Sequence, residues 1–249
     1  MIEKTRGIVL HTLKYGDSSL ISHVYTDNFG RQSFLIKGAR NKKSGTSFAL
    51  FLPLNILEIE FYHKTTSSLN KTKEISISKT YLNLNSDPHK TPITLFISEL
   101  LYKILKEENS NTSLFEFFCH SFDFFDRIRT NYIDFLIIFL IRLAEYEGFA
   151  PTDNFSEKNN CFNISKGIFE HIEIEDNLLK TEVEKIILPS DAYHFFNYLR
   201  SDYDKIDDFS IDNQMKLNIL NKLIEYFKIH IHGLGQLKST SLITDQFFL

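Results

Sequence analysis

The sequence predicts an α+β protein of more than one domain, an N-terminal β-barrel followed by an α-helical bundle domain with a small irregular subdomain. Three observations predict this. Residues 1–80 carry short apolar runs separated by turn formers, the spacing of apolar residues becomes helical from about Asp87, and the charge divides between the two parts. Residues 1–80 hold 12 Lys or Arg against 6 Asp or Glu, while the remainder holds 16 against 26. Opposite charge on two parts of one chain suits domains with different partners, the basic one facing a polyanion.

The strands come first. Gly7 to Lys14 carries Ile8, Val9, Leu10 and Leu13; Leu20 to Thr26 and Gln32 to Lys37 follow, joined by Thr26-Asp27-Asn28-Phe29-Gly30-Arg31, a run of residues that cap locally or accept positive φ. Leu54 to Tyr62 alternates, with Leu57, Ile59 and Phe61 on one face, and Glu74 to Lys79 sets Ile75 and Ile77 together. Five short strands in about 80 residues suit a small closed barrel, OB-fold-like or SH3-like.

The helices follow in residues 81–249. Thr91-Pro92 opens one, with Pro in the first turn, and Asn111 to Arg129 reads as a second, rich in Phe. Asn131 caps a third that ends at Gly148; it is apolar on nearly every face and is expected at the centre of the bundle. Residues 150–187 read as irregular, with one hairpin. Ser190 caps a short helix through Leu199, and the last helix runs from about Asp212 to His230, with Gly233 as its stop.

Composition narrows the class. Apolar residues make up 43% of the chain, enough to bury a core. No secretory signal is read in Met1 to Leu10, and the longest apolar run, Phe135 to Ile141, is too short to span a bilayer. Cys119 and Cys161 are therefore expected to be free thiols in a reducing cytoplasm. Catalytic patterns are absent. Gly45-Thr46-Ser47 lacks the spacing of a phosphate loop, the carboxylates of Glu170 to Glu184 show no acid and base pairing, and His230 and His232 suit a helix end better than a metal. No cofactor is expected.

The sharpest local feature is Lys37-Gly38-Ala39-Arg40-Asn41-Lys42-Lys43-Ser44, four cations in seven residues on a loop leaving a strand. Gly38 lets backbone approach a ligand, and such cations supply sequence-independent phosphate contacts. A solvated turn is the alternative, but a basic barrel with Tyr15, Phe29, Phe34 and Tyr62 available for base stacking favours nucleic acid.

Several segments in order resemble the RecO family. Thr5-Arg6-Gly7-Ile8-Val9-Leu10 and Tyr15-Gly16-Asp17-Ser18-Ser19-Leu20-Ile21 are similar to its first strands, and Tyr25 to Gly30 with Ile36-Lys37-Gly38-Ala39-Arg40 to its turn and "KGAR" element. Glu147-Gly148-Phe149-Ala150-Pro151 and Gly233-Leu234-Gly235-Gln236-Leu237-Lys238-Ser239 resemble a helix end and a C-terminal element of that family. The resemblance implies a non-enzymatic, nucleoid-associated repair and recombination mediator. Such a protein binds single- and double-stranded DNA, anneals strands, and acts with RecR, and with RecF and RecA, on DNA covered by single-strand-binding protein, whose acidic tail it binds. DNA contacts then fall on Lys37, Arg40, Lys42 and Lys43, with Arg6, Lys14 and Arg31 added from charge alone. Arg127, Arg129 and Arg142 could hold the acidic tail, or be buried in pairs with Glu145 or Asp126. Many relatives carry two Cys-x-x-Cys pairs in the irregular subdomain; only Cys161 stands there, so the zinc site is expected to be lost and Phe155, Phe162, Ile164 and Phe169 to hold the subdomain instead. An adaptor whose barrel does not touch DNA is the competing function.

Overall fold

In a computed structural model the described residues are 1–39, 48–63, 69–106, 109–172 and 184–248. Five strands form the N-terminal barrel: β1 (Ile2–Tyr15), β2 (Ser19–Thr26), β3 (Gly30–Ile36), β4 (Ile56–Tyr62) and β5 (Asn70–Lys79). β1 is long because it serves two neighbours, pairing antiparallel with β4 over Ile2 to Ile8 and with β2 over Gly7 to Tyr15. A register shift between Val9 and His11 marks a bulge, which bends the strand from one partner to the other. The barrel closes through a short parallel pairing of β3 with β5, Phe34 opposite Asn70 and Leu35 opposite Lys71. The resulting order, β1-β2-β3-β5-β4, is OB-like and decides between the two barrels that the strand pattern allows.

Alternation fills the interior. Val9, Leu20, Val24, Phe34, Ile36, Leu57, Ile59 and Phe61 point inward, and a 3-10 turn at Phe48–Phe51 lays Phe51 over them. Where β1 passes from one neighbour to the other the wall has no spare space: a Cβ on Gly7 would lie 2.4 Å from Val24 Cγ1. Only a residue without a side chain fits there.

The chain gathers into two compact units, Met1–Arg127 with Leu237–Ile243, and Ile128–Gln236 with Thr244–Leu249. The first unit thus holds the barrel together with α1 (Lys90–Ile104) and α2 (Thr112–Arg127). Ser98 of α1 donates its hydroxyl to the carbonyl of Leu10 at the β1 bulge, so the backbone group freed by the bulge is satisfied from the helix. Phe115, Phe118, Phe122 and Phe125 form the buried stripe of α2. At its end the Asp126 carboxylate accepts from the amides of Asn83 (2.7 Å) and Leu84 (3.2 Å), while the fully buried Lys90 donates to the Asp126 carbonyl at 2.8 Å.

One helix of this fold is missing from the sequence reading, in which the last helix ends at His230. A further helix, α6 (Thr240–Phe248), follows, and it is begun by a residue far away in sequence. Glu99 of α1 accepts from the amides of Lys238 (3.1 Å) and Ser239 (2.9 Å) and from the Ser239 hydroxyl (2.6 Å), and Lys103 stands 3.3 Å away. Burial alone would push the Glu99 carboxyl up, but the hydrogen bonds from Ser239, Lys238 and Lys103 together hold it below the usual carboxylate range.

The second unit is built on α3 (Tyr132–Tyr146), with eleven residues named as buried from Ile133 to Ala144, as its apolar faces require. Its one buried acid, Asp134, accepts from the Tyr198 hydroxyl at 2.6 Å and from Lys216 Nζ at 2.7 Å. These partners come from α4 (Pro189–Leu199) and α5 (Asn213–His230), so the pair fixes three helices in one register. The irregular segment contains the expected hairpin, β6 (Cys161–Asn163) with β7 (Ile168–Glu170), and gains a third strand, β8 (Ile186–Ile187). Phe162 and Phe169 pack on each other and on Phe195, Phe155 packs on Phe169 and Phe196, and Asn154 makes two 2.8 Å bonds to the backbone of Phe169.

Three expected caps are corrected. Asn131 stands at the N-cap of α3 in the left-handed region (φ 58°), and its side chain bonds Asp207 rather than the helix. α4 starts with Pro189 in its first turn behind Leu188, so Ser190 lies inside the helix. His230 bonds the carbonyl of Ile164 at 2.9 Å, away from its own helix end.

Two outcomes test this account. Gly7→Ala should destabilise the protein by about 1–3 kcal/mol through overpacking, and combining it with Val24→Ala should cost less than the two single changes together, as read by urea unfolding. The folded-state depression of the Glu99 carboxyl means the unfolded chain binds more protons there. Its contribution is complete above the ordinary carboxylate pKa and is lost as pH falls through the lower folded value. Glu99→Gln should therefore reduce stability at neutral pH and flatten the acid limb of a stability–pH profile.

Candidate nucleic-acid interface

The β2–β3 turn is built by its own side chains. Thr26 donates to the carbonyl of Gly30 (2.8 Å) and accepts from the amide of Phe29 (3.0 Å), while Gly30 takes the positive φ that closes the turn. Asp27 accepts from the Thr5 hydroxyl (2.6 Å) and from Arg6 Nε (3.1 Å), and Arg6 Nη2 reaches Glu116 of α2 at 2.6 Å. Arg6 also lies over the Phe115 ring. The Glu116 hydrogen bond, partly offset by burial, keeps its guanidinium charged above the ordinary range. Arg31 is engaged as well, donating to the carbonyl of Tyr102 at 3.0 Å and lying over that ring. His11 and His23 stack beside Tyr102, and burial lowers both below the usual histidine value, so they add no full charge at neutral pH.

Other cations stand free. Lys14 and Lys37 are exposed, and neither has an ion pair or hydrogen bond among the described residues. Lys37 follows β3 directly; Gly38 takes φ 71°, and Ala39 turns back into the barrel core, which leaves Lys37 outside. The register then brings in a residue that the sequence reading omits. Lys71 opens β5 opposite Leu35 of β3 and opposite Tyr62 of β4, so the ends of three strands converge on it. A cavity of about 430 Å³ opens here, with Lys37, Tyr62, Lys71, Lys73 and Glu74 in its wall. Lys73 is paired with Glu60 at 3.0 Å, whereas Lys71 is exposed with no ion pair among the described residues. Alternation in the sequence would set Lys71 and Lys73 on the inward face of Ile75; the register shift opposite Glu60 and Phe61 is what puts both lysines outside.

The four aromatics expected to stack on bases separate into two pairs. Tyr15 and Tyr62 are 53% and 45% exposed. Phe34 is instead part of the barrel core, turned inward by the pleat of β3, while Phe29, in the β2–β3 turn, is half-buried and packs edge-on against Phe61 and beside His63. Arg40, Lys42 and Lys43 lie outside the described residues. Arg127 is exposed in the first unit and donates to its own helix at Asp123. Arg129 and Arg142 belong to the second unit, where Arg142 pairs with Glu145 and donates to the carbonyls of Ser201 (2.6 Å) and Leu199 (3.2 Å). Pairing with Glu145 is one of the two alternatives that the sequence leaves open for it.

Among the described residues no group of three or more His, Cys, Asp or Glu is placed to hold a metal ion. Burial pushes the Cys119 thiol up to about 12 and raises that of Cys161, leaving both protonated at neutral pH. No helix is long and apolar enough to cross a membrane, among the described residues.

A closed five-stranded barrel of OB-like order, followed by helices, defines an α+β protein with an N-terminal OB-like module. Comparison with known proteins agrees. Residues 1–81 match the family model described as Recombination protein O N terminal, and residues 85–241 match Recombination protein O C terminal. The chain is 30% identical over 247 residues to the DNA repair protein RecO of Bacteroides fragilis, covering 99% of this chain and all of that one. It is 30% identical over 248 residues to the DNA repair protein RecO of Phocaeicola vulgatus, with 99% and 100% covered. The chain belongs to the RecO family of DNA repair proteins.

The ties of Arg6 carry a prediction of their own. Arg6→Ala should cost about 1 kcal/mol of unfolding free energy in urea, because its contacts with Asp27 and Glu116 are partly solvated.

Proposed function

We propose that this protein is a non-enzymatic DNA repair and recombination mediator. It binds single- and double-stranded DNA, promotes annealing of complementary strands, and with RecR, and with RecF, helps to place RecA on DNA covered by single-strand-binding protein. In this reading residues 1–80 are the nucleic-acid module and residues 81–249 the partner module, which receives RecR and the acidic tail of single-strand-binding protein. Arg127, Arg129 and Arg142 are the candidates for the tail, chosen for their charge; Arg127 and Arg129 are exposed. No metal or other cofactor and no membrane enters the reaction, and the work is done in the cytoplasm at the nucleoid.

The observation that carries the reading is the exposed Lys37, unpaired among the described residues, in the wall of a groove that also holds Tyr62 and Lys71, with Arg40, Lys42 and Lys43 following it in the sequence. Cations so placed can each neutralise a phosphate and release a counterion. Lys14, Arg6 and Arg31 add positive potential on adjacent strands.

The test is salt-dependent binding of a labelled oligonucleotide. Replacing Lys37, Arg40, Lys42 and Lys43 together by Ala should weaken binding at least tenfold at low salt and lower the slope of log affinity against log salt by about 3 units, close to 0.7–0.9 per lost phosphate contact. No binding by the unaltered protein at low salt would sink the proposal. Capture of RecR, and of a peptide from the single-strand-binding protein tail, tests the partner half separately.

A further inference from the structure

We infer that the groove where β3, β4 and β5 converge is a subsite for single-stranded DNA, with the Tyr62 ring as the platform for one base and Lys71 and Lys37 as its phosphate contacts. This rests on the DNA-binding reading above and goes further, since it assigns the strand form to a defined place and brings in two residues from outside the basic loop.

The chemistry of the groove distinguishes it from the rest of the barrel surface. Tyr62 is 45% exposed at the last position of β4, and it has no hydrogen bond or ring-to-ring contact among the described residues. A half-exposed aromatic ring on a barrel strand presents part of a flat apolar face to solvent. Its direct neighbour across the ladder is Lys71, and Lys71 stands opposite Leu35, two residues before Lys37. The ring thus has Lys71 across the ladder and Lys37 in the same groove wall, and neither lysine has an ion pair among the described residues. Glu60 is already held by Lys73, so the carboxylate facing the groove without a salt bridge among the described residues is Glu74. By contrast Arg6 and Arg31 are both tied to protein groups.

A single strand can splay a base onto the ring while its backbone follows the lysines. A duplex keeps its bases stacked inside and can offer only phosphates. Tyr62 should therefore matter for single strands alone, whereas the lysines should contribute to both forms. At about 430 Å³ the cavity falls within the range of clefts that hold small ligands, which limits it to one base or so.

The experiment compares the full chain with its Tyr62→Ala, Tyr62→Phe and Lys71→Ala variants, each checked by its unfolding midpoint. The probes are a fluorescein-labelled oligothymidylate, an abasic strand of the same length and a hairpin duplex. Tyr62→Ala should weaken oligothymidylate binding about tenfold while changing the abasic strand and the duplex by less than about twofold. Tyr62→Phe should keep most of the affinity, and Lys71→Ala should lower the single-strand salt slope by about 0.7. If the unaltered protein binds oligothymidylate and Tyr62→Ala binds it equally well, or loses the duplex to the same extent, the subsite assignment is overturned while DNA binding stands. If the unaltered protein binds neither probe, both fail together.

Discussion

Between Val24 on β2 and Ile59 on β4 there is no room for a side chain at Gly7, and the barrel depends on that vacancy. β1 must leave one neighbour and join the other within a few residues, which is possible only where the two partner strands approach each other closely across it. The bulge at Val9 to His11 follows at once and turns the strand outward. The carbonyl that the bulge strands is met by Ser98, so the same irregularity also positions α1. The tight passage at Gly7, the bulge and the seat of α1 thus lie within residues 7–11 of one strand.

A second theme is how the charged groups are used. Asp126, Glu99 and Asp134 are each committed to two or more donors, and each joins elements distant in sequence. Asp134 is nearly inaccessible, and its contact with Lys216 makes the arrangement specific to one helix register. Tyr198 beside it has its hydroxyl pushed well above the ordinary range by burial and then by Asp134, so it remains a donor. Carboxylates used in this way hold the architecture rather than a ligand.

Much of this was legible in the sequence because it is periodic. The alternation in Leu54 to Tyr62 gave β4 nearly to the residue, and the all-round apolar character of residues 132–146 gave a central helix. What the sequence hides is pairing. Nothing local to Lys71 says that it lies beside Tyr62 and Leu35, since that follows from a parallel closure between strands far apart in the chain. The same holds for α6, whose first turn is met by Glu99 instead of a local Ser or Asp, and for Asn131, whose side chain goes to Asp207. Phe29 and Phe34 show the converse error: aromatic residues near a basic run suggest a binding face, but the pleat of β3 turns Phe34 into the core and the β2–β3 turn packs Phe29 against Phe61 and His63.

The membership of residues 237–243 in the barrel unit has a consequence for how the protein is made. The Glu99 carboxylate must wait for Lys238 and Ser239, and these leave the ribosome only after residues 128–236 of the second unit have been synthesised. Until then the barrel and its two helices lack the donors that this carboxylate meets in the folded protein, and the first unit is completed only when its C-terminal segment reaches α1.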